Sequence, residues 1–406
     1  MKLSDDKKLD IWKIPLYKIY TDDEDVDTIT RIIKRGSRWA IGPEIEEFEN
    51  ALKKFIGVDY CLTLNSGTSA LHASLIANSI GVGDEVIVPS FTFISTANSV
   101  VNSGARPIFS DIEKETLGLD PLYISEKIGS KCKAIIPVDY AGQSCKIFEI
   151  MEIAKENKIK VIEDAAESIG SKIKGMKVGT VSDSAIFSFC GNKVLTTGEG
   201  GAVVTNDKTV FEKIKLIRSH GRQDSINYFD NPNQSKYIET GYNWRMSSIT
   251  AALGIAQLSK LDKIIGKRRE IANKIITNLA KFPEIITPKS PKDSFHIFQM
   301  FTVRLSNRKR RNELQKFLTS KKIFSKVYFE PIHKTSFYSK NNKLELPKTE
   351  QISGQVLTLP LYPNMTKDEI EYLINSISEF FEDWKEDNSY RKLICKIPTS
   401  HITWKF

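Results

Sequence analysis

Apolar residues recur at helical spacing over residues 22–36, where Val26, Ile29, Ile32 and Ile33 share one side, and again over residues 45–55. Both stretches predict amphipathic helices, and Asp22 suits the N-cap of the first. Between them Ser37 to Pro43 reads as a turn carrying Trp39. From residue 59 the rhythm changes. Short apolar runs at 60–64, 85–88, 107–109, 134–138, 160–162, 185–189 and 201–205 predict strands. Helical stretches at 70–80, 91–102, 148–157 and 207–219 separate several of them. Strands alternating with helices of ten or more residues predict the α/β class, with a mostly parallel central sheet flanked by helices.

Residues 222–240 are polar and predict a long loop. Two helical stretches, 247–265 and 267–282, follow almost without a break and suit a link between domains. Beyond Pro283 the pattern is mixed: strands at 297–305 and 323–329, helices at 310–321 and 367–381. The division expected is a large domain over 14–265, a smaller α+β C-terminal domain over 266–385, and a basic tail with aromatics over 386–406.

Composition narrows the class. The chain has 406 residues, 40% hydrophobic and 27% charged, as in an ordinary soluble protein. No apolar run is long enough for a membrane span, and the charged N-terminus is no secretory signal. Five cysteines without a CxxC pair argue against a disulfide framework or a metal site and for a reducing cytoplasm. The net charge of +9 raises nucleic acid as a partner. The basic residues are scattered, however, and their one tight cluster, Arg308 to Arg311, leads into helix sequence. A solvated helix start is the simpler reading, and no nucleic acid partner is expected.

Four features fall at the C-terminal ends of expected strands, where open α/β sheets bind ligands. Asn65-Ser66-Gly67-Thr68-Ser69 offers free N–H groups and hydroxyls at a helix start, fit for a phosphate or a plain helix cap. Phe91 and Phe93 follow the second strand, and an aromatic there can stack on a planar ring or fill core. Asp164, in Glu163-Asp164-Ala165-Ala166-Glu167, ends a buried strand and needs a partner, for which a protonated pyridine nitrogen would serve. Lys193 follows the strand 185–189 through Gly191-Asn192, with Ser188 five residues before it and a Gly-rich turn after it. An amine in such tight backbone can be desolvated and can form a Schiff base. A phosphate cradle, a stacking ring, an acid and a lysine together describe pyridoxal 5′-phosphate.

The chain resembles the DegT/StrS family of sugar aminotransferases, which are fold type I pyridoxal phosphate enzymes. The resemblance spans residues 14–382. It rests on Trp39-Ala40-Ile41-Gly42-Pro43, the Asn65 to Leu71 and Gly83 to Pro89 stretches, Glu163 to Glu167, Ser188 through Gly201, Gly241 to Met246, Ala251 to Gly254 and Leu359 to Pro363. It implies that Lys193 holds the cofactor and moves the proton, and that Asp164 pairs with the ring nitrogen. Phe93 would stack on the ring, Glu167 would lie by its phenolic oxygen, and Gly67, Thr68, Ser69 and Ser188 would hold the phosphate. Asn243 would reach the phosphate of the neighbouring subunit, making the site a property of a homodimer. Glu167 departs from the Gln or His of many members. The activity implied is transfer of an amino group from L-glutamate to a nucleotide-linked ketosugar. Gly191-Asn192-Lys193 and the Thr-Thr-Gly-Glu-Gly-Gly after it resemble perosamine synthases and related 4-amino-sugar enzymes, hence a 4-keto-6-deoxyhexose. Trp39, Arg245, Tyr328 and His333 are candidates to contact it. A 3-keto sugar or keto-inositol aminotransferase, a sugar dehydratase, or a non-catalytic regulator on the same fold are the alternatives. Intact Lys193 argues against the dehydratase, and Lys193 with Asp164 against the regulator.

Overall fold

The computed structural model describes residues 11–223, 232, 235–340 and 344–394, with side chains described as far as residue 382. Its centre is a seven-stranded sheet. The strands are β1 (Tyr60–Leu64), β2 (Glu85–Pro89), β3 (Arg106–Ser110), β4 (Cys132–Ile135), β5 (Lys160–Asp164), β6 (Ser184–Ser188) and β7 (Gly201–Thr205). Their spatial order is β1-β7-β6-β5-β4-β2-β3. β7 runs antiparallel between β1 and β6, and the remaining pairs are parallel. Helices cover both faces, so Val86, Ile87 and Val88 are all fully buried and their strand shows no alternation.

Local chemistry sets the helix ends. Asp22 caps the helix Asp23–Arg35 in a reciprocal capping box with Asp25, and Gly36 closes it at φ 68°. The helix after β1 starts at Gly67, earlier than residue 70, because the Ser66 hydroxyl accepts the Ser69 N–H. The helix expected from residue 91 spans only Ser95–Asn102, so Phe91 and Phe93 lie in a turn. The long helical region breaks at Lys260 into Ser248–Ser259 and Leu261–Leu279. Lys260 is buried there against Asp22 and Asp25.

Beyond residue 283, the strands Phe301–Arg304 and Val356–Leu359 pair antiparallel. The helices Arg308–Ser320, Pro347–Gln355 and Lys367–Ile394 surround them. Phe301, Val303, Leu314, Leu373 and Phe381 form this core with Ile275 and Leu279 of the preceding helix. The stretch 323–329 is not a strand: its pairing is limited to isolated bridges at Ile323 and Lys326. The last helix runs past residue 381 to Ile394, into the stretch read as a tail, and residues 395–406 lie outside the described residues. In the basic cluster, Arg311 is buried and donates to the carbonyls of Ser353 and Val356. Arg310 lies 4.1 Å over the Phe380 ring and pairs with Glu313 at 3.1 Å. Two of the four cluster residues therefore serve packing.

Candidate active site

The C-terminal ends of β1, β2, β5 and β6 meet the N-terminal end of β7 along one edge of the sheet. Lys193 is set there by a closed turn. Its N–H donates to the Cys190 carbonyl at 2.9 Å, and Phe189 N–H donates to Gly200 O, also at 2.9 Å. Gln299, from the second half of the chain, brackets the lysine. Its Nε2 donates to Asn192 O and its Oε1 accepts from Val194 N, both at 2.8 Å. The Lys193 ammonium lies 3.2 Å from Glu167 Oε1, and the two side chains are only 12% and 11% exposed. The other Glu167 oxygen accepts the Ala141 N–H at 2.9 Å. Ala141 sits at φ 61°, in the left-handed region, which turns its amide toward the carboxylate.

Asp164 ends β5 and is 4% exposed. Its Oδ2 accepts from the Thr96 hydroxyl at 2.8 Å and its Oδ1 from Ala166 N at 3.3 Å. Burial pushes its carboxyl up to about 6, although these hydrogen bonds and the Lys193 charge pull the other way. A carboxylate raised in this way lacks a close cation. The Thr96 hydroxyl is also 3.0 Å from that of Thr92, which precedes Phe93. Phe93 itself is 59% exposed, its ring 6.3 Å from that of Phe329.

The turn after β1 forms a cradle. A Cβ on Gly67 would lie 2.9 Å from Ser188 Cβ, and one on Gly201 would lie 2.4 Å from Ser66 O. Glycine at both positions is what lets the 66–69 turn rest against the ends of β6 and β7. The Thr68 hydroxyl is 2.9 Å from that of Ser95, while the buried Ser69 hydroxyl donates within its own turn, to Asn65 Oδ1 at 2.7 Å.

The other candidates are more dispersed. Tyr328 joins the lysine cluster: the Tyr140 hydroxyl donates to its carbonyl at 2.6 Å. Burial and then the Glu167 charge push its phenol up. Asn243 is exposed, and its carbonyl accepts from Asn65 Nδ2 at 3.3 Å. Arg245 donates to Ser219 Oγ at 3.2 Å and lines a separate cavity with Arg218 and Arg222. Trp39 is 46% exposed and bonds through Nε1 to Ile32 O. His333 is 2% exposed with both ring nitrogens engaged, Nδ1 with Ser90 Oγ at 2.7 Å and Nε2 with Glu350 at 3.2 Å. No ring nitrogen of His333 is left to face a ligand. Thr96, Tyr140, Ala141 and Gln299 were not legible as site residues. Ala141 acts through its backbone, and Gln299 arrives from over a hundred residues away.

The arrangement fits a phosphorylated pyridine carrying an aldehyde. The 66–69 turn can take the phosphate, Asp164 a protonated ring nitrogen, and Lys193 the carbonyl carbon. Known proteins place the chain independently. Residues 20–378 match the DegT/DnrJ/EryC1/StrS aminotransferase family. A GDP-perosamine synthase of Escherichia coli O157:H7 is 37% identical over 372 residues, covering 91% of this chain and 99% of that protein. The spore coat polysaccharide biosynthesis protein SpsC of Bacillus subtilis (strain 168) is 33% identical over 367 residues, covering 88% and 94%. The crystal structure of S. venezuelae DesV in complex with a ketimine intermediate superposes with a TM-score of 0.83 at 30% identity, covering 90% of this chain and 98% of that one.

Proposed function

The chain belongs to the DegT/DnrJ/EryC1/StrS aminotransferase family and is a sugar aminotransferase, and from that premise we propose that it uses pyridoxal 5′-phosphate to move the amino group of L-glutamate onto C4 of a nucleotide-linked 4-keto-6-deoxyhexose. The observation that carries the cofactor reading is the buried Asp164 carboxyl, raised to about 6, at the same sheet edge as the enclosed Lys193 amine. The similarity to a GDP-perosamine synthase over nearly its full length supports the sugar class. The Thr196-Thr197-Gly198-Glu199-Gly200-Gly201 turn after the lysine supports position C4.

When bound, the cofactor supplies an electron sink that makes the hydrogen α to nitrogen acidic. Asp164 would hold its ring nitrogen protonated, since an ion pair lowers the cost of keeping that carboxylate charged. The Gly67 and Thr68 amides and the Thr68 and Ser188 hydroxyls would hold the phosphate, with the partner subunit's Asn243 completing the site of a homodimer. Phe93 would cover the ring face, and Glu167 would stand by the phenolic oxygen. Lys193 Nζ, once free, takes the proton from the substrate carbon and returns it on the other side of the transfer. Glu167, fixed by the Ala141 amide, accepts a hydrogen bond from that amine and so aims it. Tyr328 lies beside this pair, where it can meet the sugar. Among the described residues Cys61, Cys132, Cys145 and Cys190 are free thiols, which supports a reducing cytoplasm.

The test is incubation of the purified protein with L-glutamate and a panel of GDP- and UDP-linked 4-keto sugars, 3-keto sugars and keto-inositols, read by mass spectrometry. A 4-amino sugar formed in step with 2-oxoglutarate is expected. Amination confined to a 3-keto sugar or an inositol would replace the substrate, and no amination with any pair would return the chain to a regulatory role.

A further inference from the structure

A cavity of about 620 Å³ opens between the turn 114–117, the loop 286–292 and the strand Phe301–Arg304. That volume suits a small-molecule ligand. Lys193 does not line it. Four cations do: Lys114, Lys289, Lys292 and Arg304. The one acid among the lining residues, Glu115, lies 3.5 Å from the Lys146 ammonium and is paired outside the cavity's own cations. Among the described residues no ion pair joins any of the four cations to a carboxylate. The cavity thus holds four positive charges against one negative charge that is already partnered.

Arg304 is the informative member. Its backbone is fixed by two hydrogen bonds with Ile286, at 2.8 and 2.9 Å. The strand thus presents the Arg304 side chain on the same face as Thr302, at the cavity wall, and burial pushes the guanidinium below its usual range with no carboxylate to offset the loss of water. A half-desolvated guanidinium beside three lysines is unfavourable until an anion arrives. Inorganic phosphate would fill little of the space. Leu117 and Met300, which pack in one apolar cluster with Tyr140, give the cavity an apolar side suited to a planar ring. We propose that this cavity is a second ligand site, separate from the Lys193 site, that takes a nucleoside phosphate, its phosphates on Arg304 and the lysines and its base against the apolar side.

The wall between the two sites is thin. Tyr140 and Ala141 line the cavity, while the Ala141 amide holds Glu167 at 2.9 Å and the Tyr140 hydroxyl holds the Tyr328 carbonyl at 2.6 Å. A ligand pressing on that turn acts on Lys193 through a single carboxylate.

The experiment is titration calorimetry of the holoenzyme at low salt with GDP and, separately, inorganic pyrophosphate. Wild type is compared with Arg304→Gln, Arg304→Lys and the rim double variant K289E/K292E, each checked for folding by circular dichroism. A GDP-binding event is expected that weakens roughly tenfold or more in Arg304→Gln and in K289E/K292E and is kept in Arg304→Lys. Sugar amination without added GDP should stay near wild type in the rim variant. Superimposable GDP isotherms in all four proteins would overturn the site. Pyrophosphate binding there as tightly as GDP would overturn its nucleoside part, and loss of amination together with the binding event would overturn its separateness. Failure of every ketosugar to be aminated, with the variant-sensitive event intact, would instead count against the substrate reading above.

Discussion

At the scale of the residue, Asp164 is the position where stability and function oppose each other. Its folded carboxyl is raised from 3.8 to about 6 by burial. Between those two values the folded chain binds more protons than the unfolded chain, so this group weakens the cofactor-free protein as pH rises through that window. Above pH 6 the full penalty, about 3 kcal/mol from the size of the shift, is present. Cofactor-free Asp164→Asn is therefore expected to be more stable than wild type by up to that amount at pH 8, with the difference gone near pH 4. Denaturant melts at the two pH values read this directly. The same variant should bind pyridoxal phosphate roughly tenfold or more weakly, because the protonated ring nitrogen loses its counter-charge. An Asp164→Asn protein no more stable than wild type at pH 8 would mean that the carboxyl is satisfied within the chain.

At the scale of the element, the site depends on how closely the 66–69 turn approaches the ends of β6 and β7. Gly67→Ala would place a methyl 2.9 Å from Ser188 Cβ. The overpacking should cost about 1–3 kcal/mol, taken either from stability or from the turn's fit to the phosphate. Fluorescence titration should show weaker cofactor binding, whereas Gly191→Ala, whose Cβ meets nothing nearer than 3.9 Å, should be close to neutral. Equal affinity in Gly67→Ala would remove the turn from the phosphate site. The turn, β5 with Asp164, and β6 with Ser188 were legible because each couples a short apolar run to a break rich in Gly, Ser or Asp. Pro121–Lys127 and Pro347–Gln355 were not, since both helices are short and their period is faint. Residues 323–329 alternate like a strand, yet they lie along the second half's small sheet with only single bridges. His333 looked available in a loop, but it is spent on joining Ser90 to Glu350.

At the scale of the whole molecule, the second half of the chain does more than cover the sheet. Gln299 clasps both sides of the Lys193 turn, and the Tyr328 carbonyl is tied to Tyr140. Strand-end motifs cannot report such contacts, because they depend on how distant segments fold back. The central claim still rests on one amine. Pyridoxal phosphate should give the wild-type protein a visible absorption band that borohydride abolishes. Peptide mapping should then find the reduced cofactor on Lys193 Nζ alone, and Lys193→Ala should retain none after dialysis. Reduced cofactor on another lysine, or retained by Lys193→Ala, would contradict it.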